Sequence, residues 1–310
     1  MPTRLLIAYD GSPPAAEALA TAGHLFAGAH GRVLTIFDLP VDYDQLQRSR
    51  LGADTATLDT VARETSDAAE TIAAQGVAIG QSVGLTLEPR ATAEDPSRWR
   101  TIVAMADEID ADVIVCGSRG RGGVARSLLG STSTSVLHHA ERPVLVVPAS
   151  PAAIDGPALI AYDASPAARA AITAAGRLLT GRRAVIVNVW YSSIRHTLTG
   201  RALADGPIAD LREFAGDYEQ AFADAAASVV EEGVSLTREA GLDASGEPIE
   251  SNSGAWRVLE RAATDHRAAV IVCGSRGRGA VASTVLGSVS SGLVHNVETP
   301  TLVVPAGALP

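Results

Sequence analysis

The chain contains no lysine; all 25 of its basic residues are arginine. That absence excludes a Walker-type phosphate loop, a pyridoxal Schiff base and any catalytic lysine amine. Aromatic residues make up only 4% of the 310 positions, so the apolar mass is Ala, Val, Leu and Ile, which suits helices packed on β-branched strands. Two cysteines cannot build a disulfide framework. No apolar run is long enough to cross a bilayer. The short run in MPTRLLIAYDGS is cut off by Asp10, so it reads as neither a signal peptide nor a span. The formal net charge is −10, and such a surface repels nucleic acid and anionic membrane, which excludes both as principal partners. A cytoplasmic protein of two domains is expected.

What the chain does have is itself, twice. The decamer VIVCGSRGRG stands at 113–122 and again, unchanged, at 270–279. Trp99-Arg100 matches Trp256-Arg257, and PVLVVP at 143–148 matches PTLVVP at 300–305, all at an offset of 157. At the front, LIAYDGSP (6–13) matches LIAYDASP (159–166) at an offset of 153, so four residues were gained or lost in the long polar helical region between. A period this long marks duplicated domains and not a solenoid. The expected boundaries are 1–148 and 157–310, with 149–156 as linker.

Within each copy, β-branched runs alternate with helical patterns. Strands are expected near 4–9, 32–38, 85–90, 112–117 and 143–148, and again near 158–163, 184–190, 243–249, 269–274 and 300–305. Helices of the first copy are expected near 14–28, 55–80, 97–109 and 124–139. The alternation predicts an α/β fold, doubly wound, with a parallel sheet and helices on both faces in each domain.

VIVC reads as a buried strand, and GSRGRGG follows it directly. Ligands of open parallel sheets sit beyond the C-terminal strand ends, where backbone N–H groups of a glycine turn and a helix N-terminus face an anion. A Cβ there would hold a phosphate away from the backbone. The spacing is Gly117, Gly120, Gly130-Ser131 in one copy and Gly274, Gly277, Gly287-Ser288 in the other.

This G-x2-G-x9-G-[ST] pattern after an apolar strand resembles the nucleotide-binding motif of the universal stress protein family, and the resemblance covers nearly the whole chain. It implies a tandem protein of the ATP-binding type, each domain a five-stranded parallel sheet in the order 3-2-1-4-5. Asp10 and Asp163 would then bond the adenosine, and Gly117 and Gly274 would lie along the ribose. Gly120, Gly130 and Ser131, with Gly277, Gly287 and Ser288, would cradle the phosphates. Ser133 and Ser290 would add a second hydroxyl, with Thr132 and Val289 between them and the first. Cys116 and Cys273 precede the loops. Arg119 and Arg121, with Arg276 and Arg278, would supply countercharge, and Mg²⁺ would bridge phosphate oxygens. The family places an apolar residue near the end of strand 2, where backbone meets adenine. By that resemblance Val189 fits the place in the second copy, and Asp38 takes it in the first.

Plainer readings stand beside these. The glycine loop can be a turn, Asp10 and Asp163 can cap helices with Ser12 and Ser165, and Arg119 and Arg276 can be solvated charges. Cys116 and Cys273 read as small buried hydrophobes, Trp99 and Trp256 as packing of the third helix on the sheet, and His138-His139 as the end of a helix. A regulatory binding module is favoured over a slow ATPase, because no general base or water-positioning group is evident. A dinucleotide oxidoreductase is disfavoured: GRGGVA (120–125) satisfies G-x-G-x-x-A but follows the fourth strand. A scaffold with incidental nucleotide stays open. The Pro-flanked last strands resemble edges that pair the two copies pseudo-symmetrically, with a further homodimer left open.

Overall fold

The structure is a computed structural model and describes residues 2–39, 55–120, 129–151, 154–191, 208–251, 253–277 and 286–307. The chain divides into two compact units, Met1–Ile154 and Asp155–Pro310. Among the described residues, each unit has five strands and four helices.

Unit 1 runs β1 (Arg4–Ala8), α1 (Pro13–Leu25), β2 (His30–Phe37), α2 (Thr55–Ser82), β3 (Thr86–Ala93), α3 (Arg98–Glu108), β4 (Val113–Gly117), α4 (Ser131–His139) and β5 (Val144–Val147). Unit 2 repeats the plan with β6 (Ala158–Ala161), α5 (Pro166–Leu178), β7 (Ala184–Trp190), α6 (Ile208–Glu239), β8 (Ala244–Glu250), α7 (Ala255–Asp265), β9 (Val270–Gly274), α8 (Ser288–Asn296) and β10 (Thr301–Val304). All pairings within a unit are parallel, in the orders β3-β2-β1-β4-β5 and β8-β7-β6-β9-β10. The expected strands are all present, with ends shifted by up to three residues. α4 begins only at Ser131, because Gly130 is extended (φ −63, ψ 151); the earlier start expected at 124 falls outside the described residues.

The central strands are buried on both faces: Leu5, Leu6, Ile7, Val113, Ile114 and Val115 are fully inaccessible, as are Leu159, Ile160, Val270, Ile271 and Val272. Burying each such side chain stabilises by about 1.5–3 kcal/mol, so these strands fix the sheet order. The long helices dock through glycine. In α2, Gly76 lies against Tyr9 and Val33; in α6, Gly233 lies against Tyr162 and Ile186. Those two contacts put the helices at an offset of 157, while β1/β6 and β2/β7 keep 153. α6 has 32 residues and α2 has 28, and the insertion therefore lies ahead of Gly76.

α1 and α5 start alike. Ser12 Oγ accepts from Ala15 N at 3.4 Å, Ser165 Oγ accepts from Ala168 N at 3.2 Å, and proline occupies the first helical turn of both. The residue before each cap is left-handed: Gly11 has φ 79, but its counterpart Ala164 has φ 60. A Cβ there costs roughly 1 kcal/mol. Ala164→Gly is expected to stabilise the protein by about that amount and Gly11→Ala to destabilise it similarly, read from chemical denaturation midpoints; no shift for either would refute the strain.

Candidate functional site

In unit 1, β1 and β4 pair in parallel, with Leu5 opposite Val113 and Ile7 opposite Val115. Two residues past the end of β1 comes Asp10; β4 ends at Gly117. Sheet order thus brings together groups 107 positions apart. The approach is close: a Cβ at position 120 would stand 2.6 Å from Asp10 Oδ2, and one at 117 would stand 3.1 Å from the Pro14 carbonyl. Asp10 Oδ1 in turn accepts from Ser12 N at 3.0 Å. The loop is pinned by Ser118 N donating to Val147 O at 2.7 Å and Gly130 N donating to Ser118 O at 2.8 Å. Ser133, buried, donates its hydroxyl to Gly117 O at 2.9 Å. Its proton therefore fastens α4 to the loop.

Gly130 caps α4 without a side-chain acceptor for the first-turn N–H groups, whereas Ser12 supplies one to α1. The positive end of the α4 dipole, about half a charge, faces the glycine loop. These elements border a cleft of about 760 Å³. Asp10, Gly117, Arg119, Gly120, Gly130, Ser131, Thr132, Ser133, Cys116 and Asp38 all line it, so the structure gathers the described site residues expected in this copy. Arg121 and Arg278 lie outside the described residues.

The opposite wall was not foreseen. It comes from Leu34 and Ile36 of β2, from Thr65, Ala68, Ala69 and Ile72 of α2, and from Arg98 and Ile102 of α3. The spacing 65, 68, 69, 72 is one helical face, the signal that marked this stretch as a helix without saying what it faced. At the edge, Arg98 Nη2 donates to Asp38 Oδ2 at 2.5 Å and Arg98 Nε to Glu94 Oε2 at 3.2 Å. Hydrogen bonding with Glu94 and the Arg98 guanidinium hold the Asp38 carboxyl below its usual value against the effect of burial.

Unit 2 repeats the described ends of the loop. A Cβ at 277 would stand 2.9 Å from Asp163 Oδ2. Ser165 N donates to Asp163 Oδ1 at 3.0 Å, Gly287 N to Ser275 O at 2.8 Å, and Ser290 Oγ to Ser275 O at 3.0 Å. Gly287 caps α8 with no side-chain acceptor, Ser288 and Val289 begin that helix, Gly274 packs on Ala167, and Arg276 is half-buried.

The profile described as the universal stress protein family matches residues 1–148 and 156–305. The chain belongs to the universal stress protein family. A family member from Mycolicibacterium smegmatis is 32% identical over 241 residues, 73% of this chain and 71% of that protein. One from Mycobacterium tuberculosis is 29% identical over 213 residues, 66% of this chain and 64% of its own length. The crystal structure of a universal stress protein from Archaeoglobus fulgidus shares the fold, with TM-score 0.63, 22% identity and 98% and 97% of the two chains covered.

Two expectations about this universal stress protein change with the structure. Asp38 is not the counterpart of Val189. Tyr9 N donates to Leu34 O and Tyr162 N to Val187 O, while Thr35 and Asn188 side chains reach the Tyr9 and Tyr162 carbonyls. That ladder pairs Val189 with Ile36 and Asp38 with Tyr191, so both copies have an apolar residue near the strand end. The tryptophans, expected to pack the third helix on the sheet, meet the fourth helix: Trp99 stacks on His139 of α4 at 4.0 Å, and Trp256 lies against Gly292 of α8. His139 also caps its own helix end, its Nδ1 2.8 Å from Ser135 O. Apart from those, Tyr162 donates to Glu232 Oε1 at 2.7 Å, and Arg169 Nη2 lies 2.5 Å from the same oxygen. Burial and that carboxylate push the Tyr162 hydroxyl well above its ordinary value. No sequence feature announced this network, because its members are 7 to 70 positions apart.

Among the described residues no group of three or more His, Cys, Asp or Glu side chains is placed to hold a metal, and no helix is long and apolar enough to cross a membrane. Burial pushes the Cys116 and Cys273 thiols up to about 12. Both are therefore neutral at pH 8 and unreactive. Ellman's reagent is expected to leave the native protein unlabelled at pH 8 and to titrate both thiols in denaturant; rapid native labelling would contradict their burial.

Proposed function

We propose that this universal stress protein binds one ATP in each unit and acts as a nucleotide-dependent regulatory module of the stress response, with little or no turnover. The observation that carries this reading is the close approach of Gly120 to Asp10, repeated by Gly277 and Asp163, beside a glycine-capped helix N-terminus. Triphosphate would lie along the loop. There the first-turn N–H groups of α4 or α8, the Ser131 or Ser288 hydroxyl, and Arg119 or Arg276 supply donors and positive charge. A side chain at 120 or 277 would fill that space. Asp10 or Asp163 would accept from sugar hydroxyls. The apolar wall of β2 and α2, or β7 and α6, would take the flat base.

The residues fit a nucleotide better than a free metal. Mg²⁺ would be held through phosphate oxygens and water, as is usual for a cation that dehydrates reluctantly. Among the described residues lining the unit 1 cleft, the carboxylates are Asp10, which this reading gives to the sugar, and Asp38, which is clasped to Arg98; with neither left to act as a general base, a binding role is favoured over the ATPase reading. Binding would exert control by stabilising whichever state holds loop and helix together.

The test is acid extraction of protein purified without added nucleotide, with identification and counting of what is released. The expected result is ATP, one for each unit. Gly120→Asp and Gly277→Asp, which put a carboxylate against Asp10 or Asp163, are each expected to remove one nucleotide and to weaken that site at least about tenfold, or 1.4 kcal/mol. ADP in place of ATP would point to slow hydrolysis. A chain that carries none and binds none on addition would leave the loops as architecture.

A further inference from the structure

The duplication allows the lining of the unit 1 cleft to be compared with the matching places of unit 2, position by position within one chain. On the loop side the described positions mostly agree: Cys116/Cys273, Arg119/Arg276, Ser131/Ser288 and Ser133/Ser290 pair without change, while Thr132/Val289 and Val136/Leu293 differ. On the opposite side they diverge in chemistry. The β1/β6 ladder pairs Asp38 with Tyr191, and the Gly76/Gly233 anchor pairs Thr65 with Phe222. Arg98 becomes Ala255 and Glu94 becomes Ser251.

Unit 1 therefore edges its cleft with a carboxylate clasped to a guanidinium, Asp38 to Arg98, and both line the cavity. Unit 2 has no formal charge at the matching places. It presents aromatic faces, Tyr191 being 50% and Phe222 38% exposed, with Tyr218 set 4.7 Å from the Phe222 ring. Water-exposed aromatic rings grouped on one helix face and at one strand end are costly to leave bare, and nearby burial does not require them: the adjoining positions, Ala226 and Val230, are buried just as Ala69 and Ala73 are in unit 1.

We propose that the two clefts read the base by different means: unit 1 by polar contacts from Asp38 and Arg98 to the base edge, unit 2 by stacking on the aromatic group that includes Phe222. The inference rests on the nucleotide reading above. A polar pair tells an exocyclic amine from a carbonyl oxygen, since the wrong group leaves charge unpaired. Aromatic stacking does not, because every base offers a π-face. Unit 1 is thus an adenine-selective site and unit 2 a purine site with weak preference between adenine and guanine.

The experiment uses the full chain with one unit silenced: Gly277→Asp to isolate unit 1, Gly120→Asp to isolate unit 2. Dissociation constants for ATP and GTP are measured by calorimetry, and their ratio cancels the shared triphosphate contribution. The GTP/ATP ratio is expected to be at least about fivefold higher in unit 1, corresponding to about 1 kcal/mol. Asp38→Ala should bring it down to the unit 2 value. Phe222→Ala should weaken ATP and GTP alike in unit 2, about tenfold, and Phe222→Tyr should restore both, which a merely structural effect of truncation would not. Equal ratios in the two units, or a ratio that Asp38→Ala leaves unmoved, would overturn the proposal while leaving nucleotide binding intact. A chain that binds neither triphosphate in either unit overturns the nucleotide reading and this inference together.

Discussion

Everything at the candidate site depends on the parallel pairing of one early strand with one late strand. β1 beside β4, and β6 beside β9, is the point where the sheet order reverses. The two helices that follow such strands leave on opposite faces and open a crevice between them. Into that crevice the chain delivers a carboxylate from the first strand and a glycine loop from the fourth. Were β1 displaced from β4 by one strand, about 4.8 Å, Asp10 and Gly120 would not meet. The pairing is held by side chains buried on both faces, so the crevice inherits the rigidity of the core.

That geometry explains where variation is tolerated within the chain. The loop side is constrained by backbone: carbonyl oxygens of Pro14 and Ser118, the Asp10 carboxylate, and the hydroxyl of Ser133 all sit within contact distance of glycine or of the backbone it frees. The β2/α2 side is constrained only by the need for some wall. Side chains of different size and polarity fill it in the two copies, which is why Asp38 and Arg98 answer to Tyr191 and Ala255. A duplicated domain keeps what its backbone requires and alters what its side chains merely line.

The cysteines, tryptophans and histidines show the same division. Cys116 and Cys273 lie on fully enclosed strands, and their chemistry is suppressed by burial. Trp99 and Trp256 hold the third helix of each unit to the fourth, and so set the position of the helix whose N-terminus faces the loop. They act on the site through packing.

Much of this was legible in the sequence. β-branched runs of five residues, alternation with helical periodicity, Ser-Pro helix starts and glycine spacing are local signals, and each unit folds with the strands and helix starts they announce. The repeat itself announced that the close approach of glycine to carboxylate would occur twice, at Gly120 with Asp10 and at Gly277 with Asp163, because identical backbone constraints recur with identical glycines. The offset change from 153 to 157 was legible as a length difference, and α2 and α6 carry it. What sequence alone could not decide was how far the front offset of 153 runs. Asp38 and Val189 look equivalent as strand ends but match neither offset, and the hydrogen-bond ladder, which pairs Leu34 with Val187, carries 153 through the second strand and sets Asp38 against Tyr191. Nor could it place Thr65, Arg98 or Ile102 in the cleft, or join Tyr162 to Glu232 and Arg169. Those neighbours are set by how helices lie across a twisted sheet, a relation between distant segments that no local pattern of residues encodes.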